Sequence, residues 1–144
     1  MVIAIETNIL VYAHRSDSPF YEGARAALRE VAEGSRRWVI PWPCAHEFIG
    51  VVTNHRAFAT PSTFQQAFNQ IESWASSAAH QWISTTPEHW LTLSTLCRNA
   101  KVTGGMIYDA RIAAICIENG VSELWTADRD FSRFAGLKTR NPLF

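Results

Sequence analysis

Five carboxylates carry the chemistry open to this sequence: Glu6, Glu47, Asp109 and Asp128, with Asp130 as an auxiliary fifth. Glu6 directly follows the apolar run Val2-Ile3-Ala4-Ile5, and Asp128 follows Leu124-Trp125-Thr126-Ala127. Glu47 stands among Cys44, Phe48 and Val51, and Asp109 among Met106, Ile107, Ala110, Ile112 and Ala113. An acid in apolar surroundings is costly to bury unless it is paired or binds a metal. Taken singly, each has an equally good reading as half of an ion pair, Asp109 with Arg111 or Arg129 for example. Taken together, crowded carboxylates repel, and their pKa values rise unless a cation is present. An all-oxygen donor set suits Mg2+ or Mn2+ and not Zn2+. Such an ion lowers the pKa of a bound water and neutralises charge on a phosphodiester under in-line attack, with no histidine required.

These acids need elements that bring them together. Val2 to Ile5 reads as a short buried strand, and the apolar Ile9 to Ala13 as a short helix. Ser18-Pro19 predicts a helix start, with a helix to Gly34 burying Phe20, Ala24, Ala27, Leu28 and Val31. Trp38-Val39-Ile40 reads as a second strand, and Pro43 opens a helix carrying Phe48, Val51, Val52 and His55 at helical spacing. Thr60-Pro61 predicts another start, before a stripe of Phe64, Phe68, Ile71 and Trp74 or Ala75. Trp82-Ile83-Ser84 is the third strand. Thr86-Pro87-Glu88 opens a helix to Asn99 that buries Trp90, Leu93, Leu96 and Cys97. Gly104-Gly105 and Asn119-Gly120 bracket a helix from about Met106 to Glu118. Leu124-Trp125-Thr126 is the fourth strand, followed by a short helix near Asp130 to Phe134 and an extended Leu137 to Arg140. Strands alternating with helices predict an α/β domain with a parallel sheet and helices on both faces. Ligands bind such sheets beyond the carboxyl ends of the strands, where Glu6 and Asp128 fall.

The 144 residues fit one domain, 1–144, and 47% are apolar, as in ordinary globular proteins. Thirteen Lys and Arg balance thirteen Asp and Glu, so no global charge signals nucleic acid. Cys44, Cys97 and Cys116 are odd in number and far apart, which argues for reduced thiols. No stretch approaches the ~20 apolar residues of a membrane span, and no signal segment is seen, so a soluble cytoplasmic protein is expected. The six tryptophans are core by default. Other chemistries find little support. His46-Glu47 starts like a zinc-protease helix, but Gly50 stands where the second His belongs. Neither a P-loop, a dinucleotide-binding glycine motif nor G-x-S-x-G is present.

Four segments resemble PIN-domain ribonucleases, in order and along the whole chain. Glu6-Thr7-Asn8-Ile9-Leu10 resembles their opening D-T-N-x-L, and Pro43 to Phe48 their helix with an internal Glu. Asp109-Ala110-Arg111-Ile112-Ala113-Ala114 resembles D-A-x-I-A-A, and Thr126-Ala127-Asp128-Arg129-Asp130-Phe131 their closing T-x-D-x-D-F. The spacing is similar to that of small VapC-type toxins. The resemblance implies a three-layer α/β/α fold around a mainly parallel sheet of four to five strands. It implies a Mg2+- or Mn2+-dependent endoribonuclease toxin acting on structured RNA such as tRNA or ribosomal RNA. It also implies a VapB-like antitoxin partner and a homodimer. By position, Glu6, Glu47, Asp109 and Asp128 are the catalytic acids. Glu6, Asp109, Asp128 and Asp130 are the metal ligands. Thr7, Asn8 and Thr126 are polar supports, although a strand-end turn explains Thr7 and Asn8 equally well. Arg111, Arg129 and Arg133 are the local candidates for RNA phosphates, with Lys138 and Arg140 nearby.

One position departs from the family: the first acid is usually Asp and here is Glu6. The extra methylene moves the carboxylate by roughly 1 Å, and a misplacement of about 1 Å costs on the order of 100-fold in rate. Three readings are open: a natural Glu with an adjusted backbone, an engineered detoxifying change, or a naturally weakened member. The alternative function is therefore a non-cutting PIN-fold module that binds RNA or an antitoxin.

Overall fold

The computed structural model describes residues 1–144. Its first apolar run forms β1 (Val2–Ile5), followed by α1 (Thr7–His14) and α2 (Tyr21–Glu33). β2 (Arg37–Pro41) runs straight into α3 (Trp42–Val52), with Pro43 in the first turn, where its missing N–H costs nothing. Then come α4 (Phe64–Ala75), β3 (His80–Ile83), α5 (His89–Asn99) and α6 (Met106–Glu118). β4 (Glu123–Trp125), a short 3-10 helix (Arg129–Arg133) and β5 (Thr139–Arg140) complete the chain.

The five strands form one sheet in the order β3-β2-β1-β4-β5, and every neighbouring pair is parallel. This is the expected α/β architecture. Strands β1, β2 and β3 step one way across the sheet, and β4 and β5 step the other. The order therefore reverses between β1 and β4, the point where open parallel sheets leave a crevice for ligands. Right-handed crossovers then place α1–α4 on one face and α5–α6 on the other. Within each group the helices pack on one another. Thirty buried apolar residues form a single cluster around the sheet.

Several expectations shift. The α2 helix starts at Tyr21 because Ser18 closes a turn first, its Oγ accepting from Phe20 N at 3.1 Å and its carbonyl from Tyr21 N at 3.2 Å. For α4 the start is not Thr60-Pro61. Ser62 N donates to Val52 O at 2.8 Å and keeps that segment extended. Thr63 then caps the helix, its Oγ1 accepting from Gln66 N at 3.1 Å while Gln66 Oε1 accepts from Thr63 N at 2.9 Å.

Phe64, Phe68 and Phe20 lie on the surface instead of in the core. Trp90 is 77% exposed, because α5 buries the opposite side through Leu96. Val51 is also exposed, and His55 lies beyond the end of α3. Trp38, Trp74 and Trp125 are buried as expected, while Trp42 is partly exposed and stacks on Trp82 at 3.8 Å. All three cysteines are free. No helix is long and apolar enough to cross a membrane.

Candidate active site

The site begins where β1 and β4 end side by side, with Ile5 opposite Trp125. Glu6 is the next residue and caps α1, its Oε2 accepting from Asn8 N at 3.3 Å and from Thr126 Oγ1 at 3.2 Å. Thr126 Oγ1 in turn accepts from Asn8 Nδ2 at 3.3 Å and from Asp128 N at 3.0 Å. Ala127 N donates to Asn8 Oδ1 at 3.3 Å. These bonds tie the exit of β1 to the exit of β4 and fix both turns. Thr7 serves the neighbouring acid, donating from Oγ1 to Glu47 Oε2 at 3.0 Å. Asp128 caps the 3-10 helix, its Oδ1 accepting from Asp130 N at 2.8 Å. Asp109 lies in the first turn of α6 and is partly buried.

The electrostatics show that these acids sense one another. Burial pushes the Glu6 carboxyl up to about 7, and the Glu47 charge adds to the rise. The Asp109 carboxyl is also raised, first by burial and then by the negative charges of Asp128, Glu47 and Asp130. Glu47 thus acts on both Glu6 and Asp109, which places it electrically between them. Cys44, buried beside them, is held neutral well above its ordinary value by burial and by Glu6 and Glu47.

The arginines divide. Arg111 does not pair with Asp109; its Nη2 donates to Glu47 Oε1 at 3.1 Å, and its Cζ lies 5.5 Å from the Tyr108 ring centre. Residues two apart on a helix point away from each other, so Arg111 reaches across to α3 instead. Arg133 turns to Asp130, with 3.7 Å between Nη2 and Oδ1, and its Nε donates to the Asp130 carbonyl at 3.1 Å. Lys138 pairs with Glu123 at 3.5 Å. Arg129 and Arg140 line a cleft of about 440 Å3 together with Thr126 and Asp128. A larger cleft, about 720 Å3, runs past His14, Ser62 and Gln70 and contains none of the acids. The Glu47–Arg111 pair and the Thr7–Glu47 bond were not legible in the sequence, since both join residues far apart in the chain.

As placed, no three acidic, histidine or cysteine side chains come close enough to hold an ion between them. The donor chemistry nevertheless fits Mg2+ or Mn2+: the charged donors are all carboxylate oxygens, and Mg2+ is commonly held by one or two carboxylates with water. Glu6, Asp109 and Asp128 are the residues that would hold it, with Asp130 further out, exposed and engaged by Arg133.

Comparison with known proteins agrees with this fold. The PIN domain family model matches residues 3–137. "VapC ribonuclease Mb2897" of Mycobacterium bovis is 32% identical over 142 residues, covering 99% of this chain and 96% of the relative. "Ribonuclease VapC25" of Mycobacterium tuberculosis is 31% identical over 138 residues, covering 96% of each. Among solved structures, VapBC2 from Rickettsia felis, bound to a DNA fragment from its promoter, superposes with a TM-score of 0.72 at 19% identity, covering 98% of both chains. VapC20 from Mycobacterium tuberculosis, described as a Sarcin-Ricin loop cleaving toxin, superposes with a TM-score of 0.65 at 15% identity, covering 94% of this chain and 98% of that one. By its fold, its four ordered motifs and this match along nearly its whole length, the chain belongs to the PIN domain family.

Proposed function

We propose that this protein is a ribonuclease toxin that hydrolyses phosphodiester bonds of structured RNA with the help of Mg2+ or Mn2+. The observation that carries the reading is the placement of Glu6, Glu47, Asp109 and Asp128 around the β1/β4 switch point, where Glu47 bears on the buried Glu6 and the partly buried Asp109, and Asp128 bears on Asp109. Full-length relatives named VapC ribonucleases support it, and a structural neighbour that cleaves the Sarcin-Ricin loop supports a structured RNA.

Asp109 and Asp128, with Glu6, would hold the ion directly or through water, and Asp130 would tune Asp128. When bound, the ion polarises the phosphate and makes a bound water nucleophilic. Glu47, fixed by Thr7, would orient the attacking water. One of the acids accepts the proton that the water loses as its oxygen bonds to phosphorus, while the opposite P–O bond breaks and the departing ribose oxygen keeps the electron pair and takes a proton from solvent. Asn8 and Thr126 hold the two turns so that the acids converge. Arg129 and Arg140, in the cleft beside Asp128, contact flanking phosphates.

The non-cutting alternative is not favoured, because Glu6 Oε2 is held by Asn8 N and Thr126 Oγ1 and the full-length relatives are named ribonucleases. Structural neighbours solved as VapBC and FitAB assemblies support a VapB-like antitoxin partner; a homodimer in the cytoplasm, its site covered by that antitoxin, belongs to the same proposal. The test is cleavage of tRNA and ribosomal RNA in Mn2+. Asp109→Asn and Asp128→Asn each lower the rate on the order of 100-fold or more, and EDTA abolishes cleavage. Unchanged cleavage in either variant, or cleavage that survives EDTA, contradicts the reading.

A further inference from the structure

Arg111 is the one cation bonded to the four converging acids. It engages Glu47 with Nη2 alone, at 3.1 Å, and both side chains are a little over one-third exposed. Its Nε is buried and has no acceptor. Arginine–carboxylate pairs are frequently bidentate, with two parallel N–H groups. Here only one is used, and the buried donor left over is a cost that a finished structural pair avoids. The partner is also telling. Glu47 is the acid whose charge reaches both Glu6 and Asp109, so whatever neutralises Glu47 sets the field of the whole site. Arg133, by contrast, sits on the exposed Asp130 and acts on Asp109 from outside.

We propose that Arg111 is the resident counter-cation of Glu47, competing with the divalent ion and thereby setting the affinity of the site for it. The inference rests on the reading of the acids as a Mg2+- or Mn2+-binding set. With the ion absent, the guanidinium relieves the repulsion around Glu47. With the ion present, that neutralisation is duplicated, the Glu47–Arg111 contact weakens, and the Nε edge of Arg111 is freed for bidentate capture of an RNA phosphate.

The experiment is calorimetric titration of the intact, metal-free protein with Mn2+ alone, at low ionic strength, with RNA absent. Arg111→Gln removes the competing charge and tightens Mn2+ binding about tenfold, the scale of one unit charge at ion-pair distance in a half-exposed site. Arg111→Lys keeps the charge and stays closer to wild type than Arg111→Gln does. Arg133→Gln changes the affinity less than Arg111→Gln. Circular dichroism and melting curves establish that each variant is folded. Equal or weaker Mn2+ binding by a folded Arg111→Gln overturns the proposal and leaves the metal reading intact. Equal tightening by Arg133→Gln overturns it too, because the effect is then one of total charge. A wild type that binds no Mn2+ overturns the metal reading and this proposal together.

Discussion

Two edges of the same sheet bury an ionisable group, and they do so to different ends. At the β1/β4 switch point Glu6 is 6% exposed and its carboxyl is pushed up to about 7. At the outer strand β3, His80 packs between Trp38 and Trp82, with ring centres 4.7 and 4.8 Å away, and burial lowers its pKa to about 4. In both places burial favours the neutral form. The surroundings differ. Around His80 there are aromatic rings, burial is the sole cause of its shift, and its buried Nε2 has no partner. Around Glu6 there are further acids, and like charge adds to burial. A perturbed pKa alone therefore does not mark a functional site. The proposed site adds to it a set of neighbouring acids and a place where strand order reverses.

The largest expected contrast is in cleavage. Asp109→Asn lowers RNA cleavage in Mn2+ on the order of 100-fold, whereas His80→Phe leaves it within about threefold, since nothing at β3 touches the acids. Comparable losses in the two variants would erase the distinction between the edges.

Next is Glu6→Gln, which keeps the shape and removes the charge. Cleavage falls by at least about tenfold, while the metal-free protein melts at a higher temperature at pH 8, because a buried carboxylate no longer has to ionise. A lower melting temperature with unchanged cleavage contradicts both halves. In Glu6→Asp, cleavage changes by less than about tenfold in either direction, because Glu6 is already seated by Asn8 and Thr126. A gain near 100-fold would instead identify Glu6 as an impairment.

The two edges also oppose each other with pH. The Glu6 pKa is higher in the folded protein than its ordinary 4.5, so its contribution is full below about 4.5 and is lost as pH rises through about 7. The His80 pKa is lower than its ordinary 6.5, so its contribution is full above 6.5 and is lost as pH falls through about 4. Melting curves of the metal-free protein from pH 4 to 8 show both limbs. Glu6→Gln flattens the upper limb and His80→Phe the lower; a profile that neither variant alters contradicts the assignments. The smallest effect is at Trp90, 77% exposed on α5. Trp90→Ala changes stability by no more than about 0.5 kcal/mol, and a larger loss in chemical denaturation would show that this ring is not a free surface group.

Much of this was legible in the sequence where the signals are local. The Gly104-Gly105 and Asn119-Gly120 pairs bracket α6 at its observed ends, Met106 and Glu118, and Gly120 adopts a φ of 71°. Apolar runs ending in polar residues located the strands, and the strand ends located Glu6 and Asp128. Competition between nearby signals was harder to read. Thr60-Pro61 resembles a helix start, but the reciprocal Thr63–Gln66 cap wins because Ser62 is tied to Val52. Exposure was harder still. The aromatic rings of Phe64, Phe68 and Trp90 extend helical stripes that look buried in one dimension and end on the surface in three. The pairing of Arg111 with Glu47 spans 64 residues, and no spacing rule reaches that far.

The central claim is that the acids at the β1/β4 edge act as one cation-dependent unit. Single-turnover cleavage in Mn2+ by Asp109→Asn, Asp128→Asn and the double variant tests it most directly. The account predicts that each single change costs on the order of 100-fold and that the double costs little more than either, because groups that act together are lost together. Losses that multiply in the double variant, or a single variant that cleaves at the wild-type rate, would contradict it.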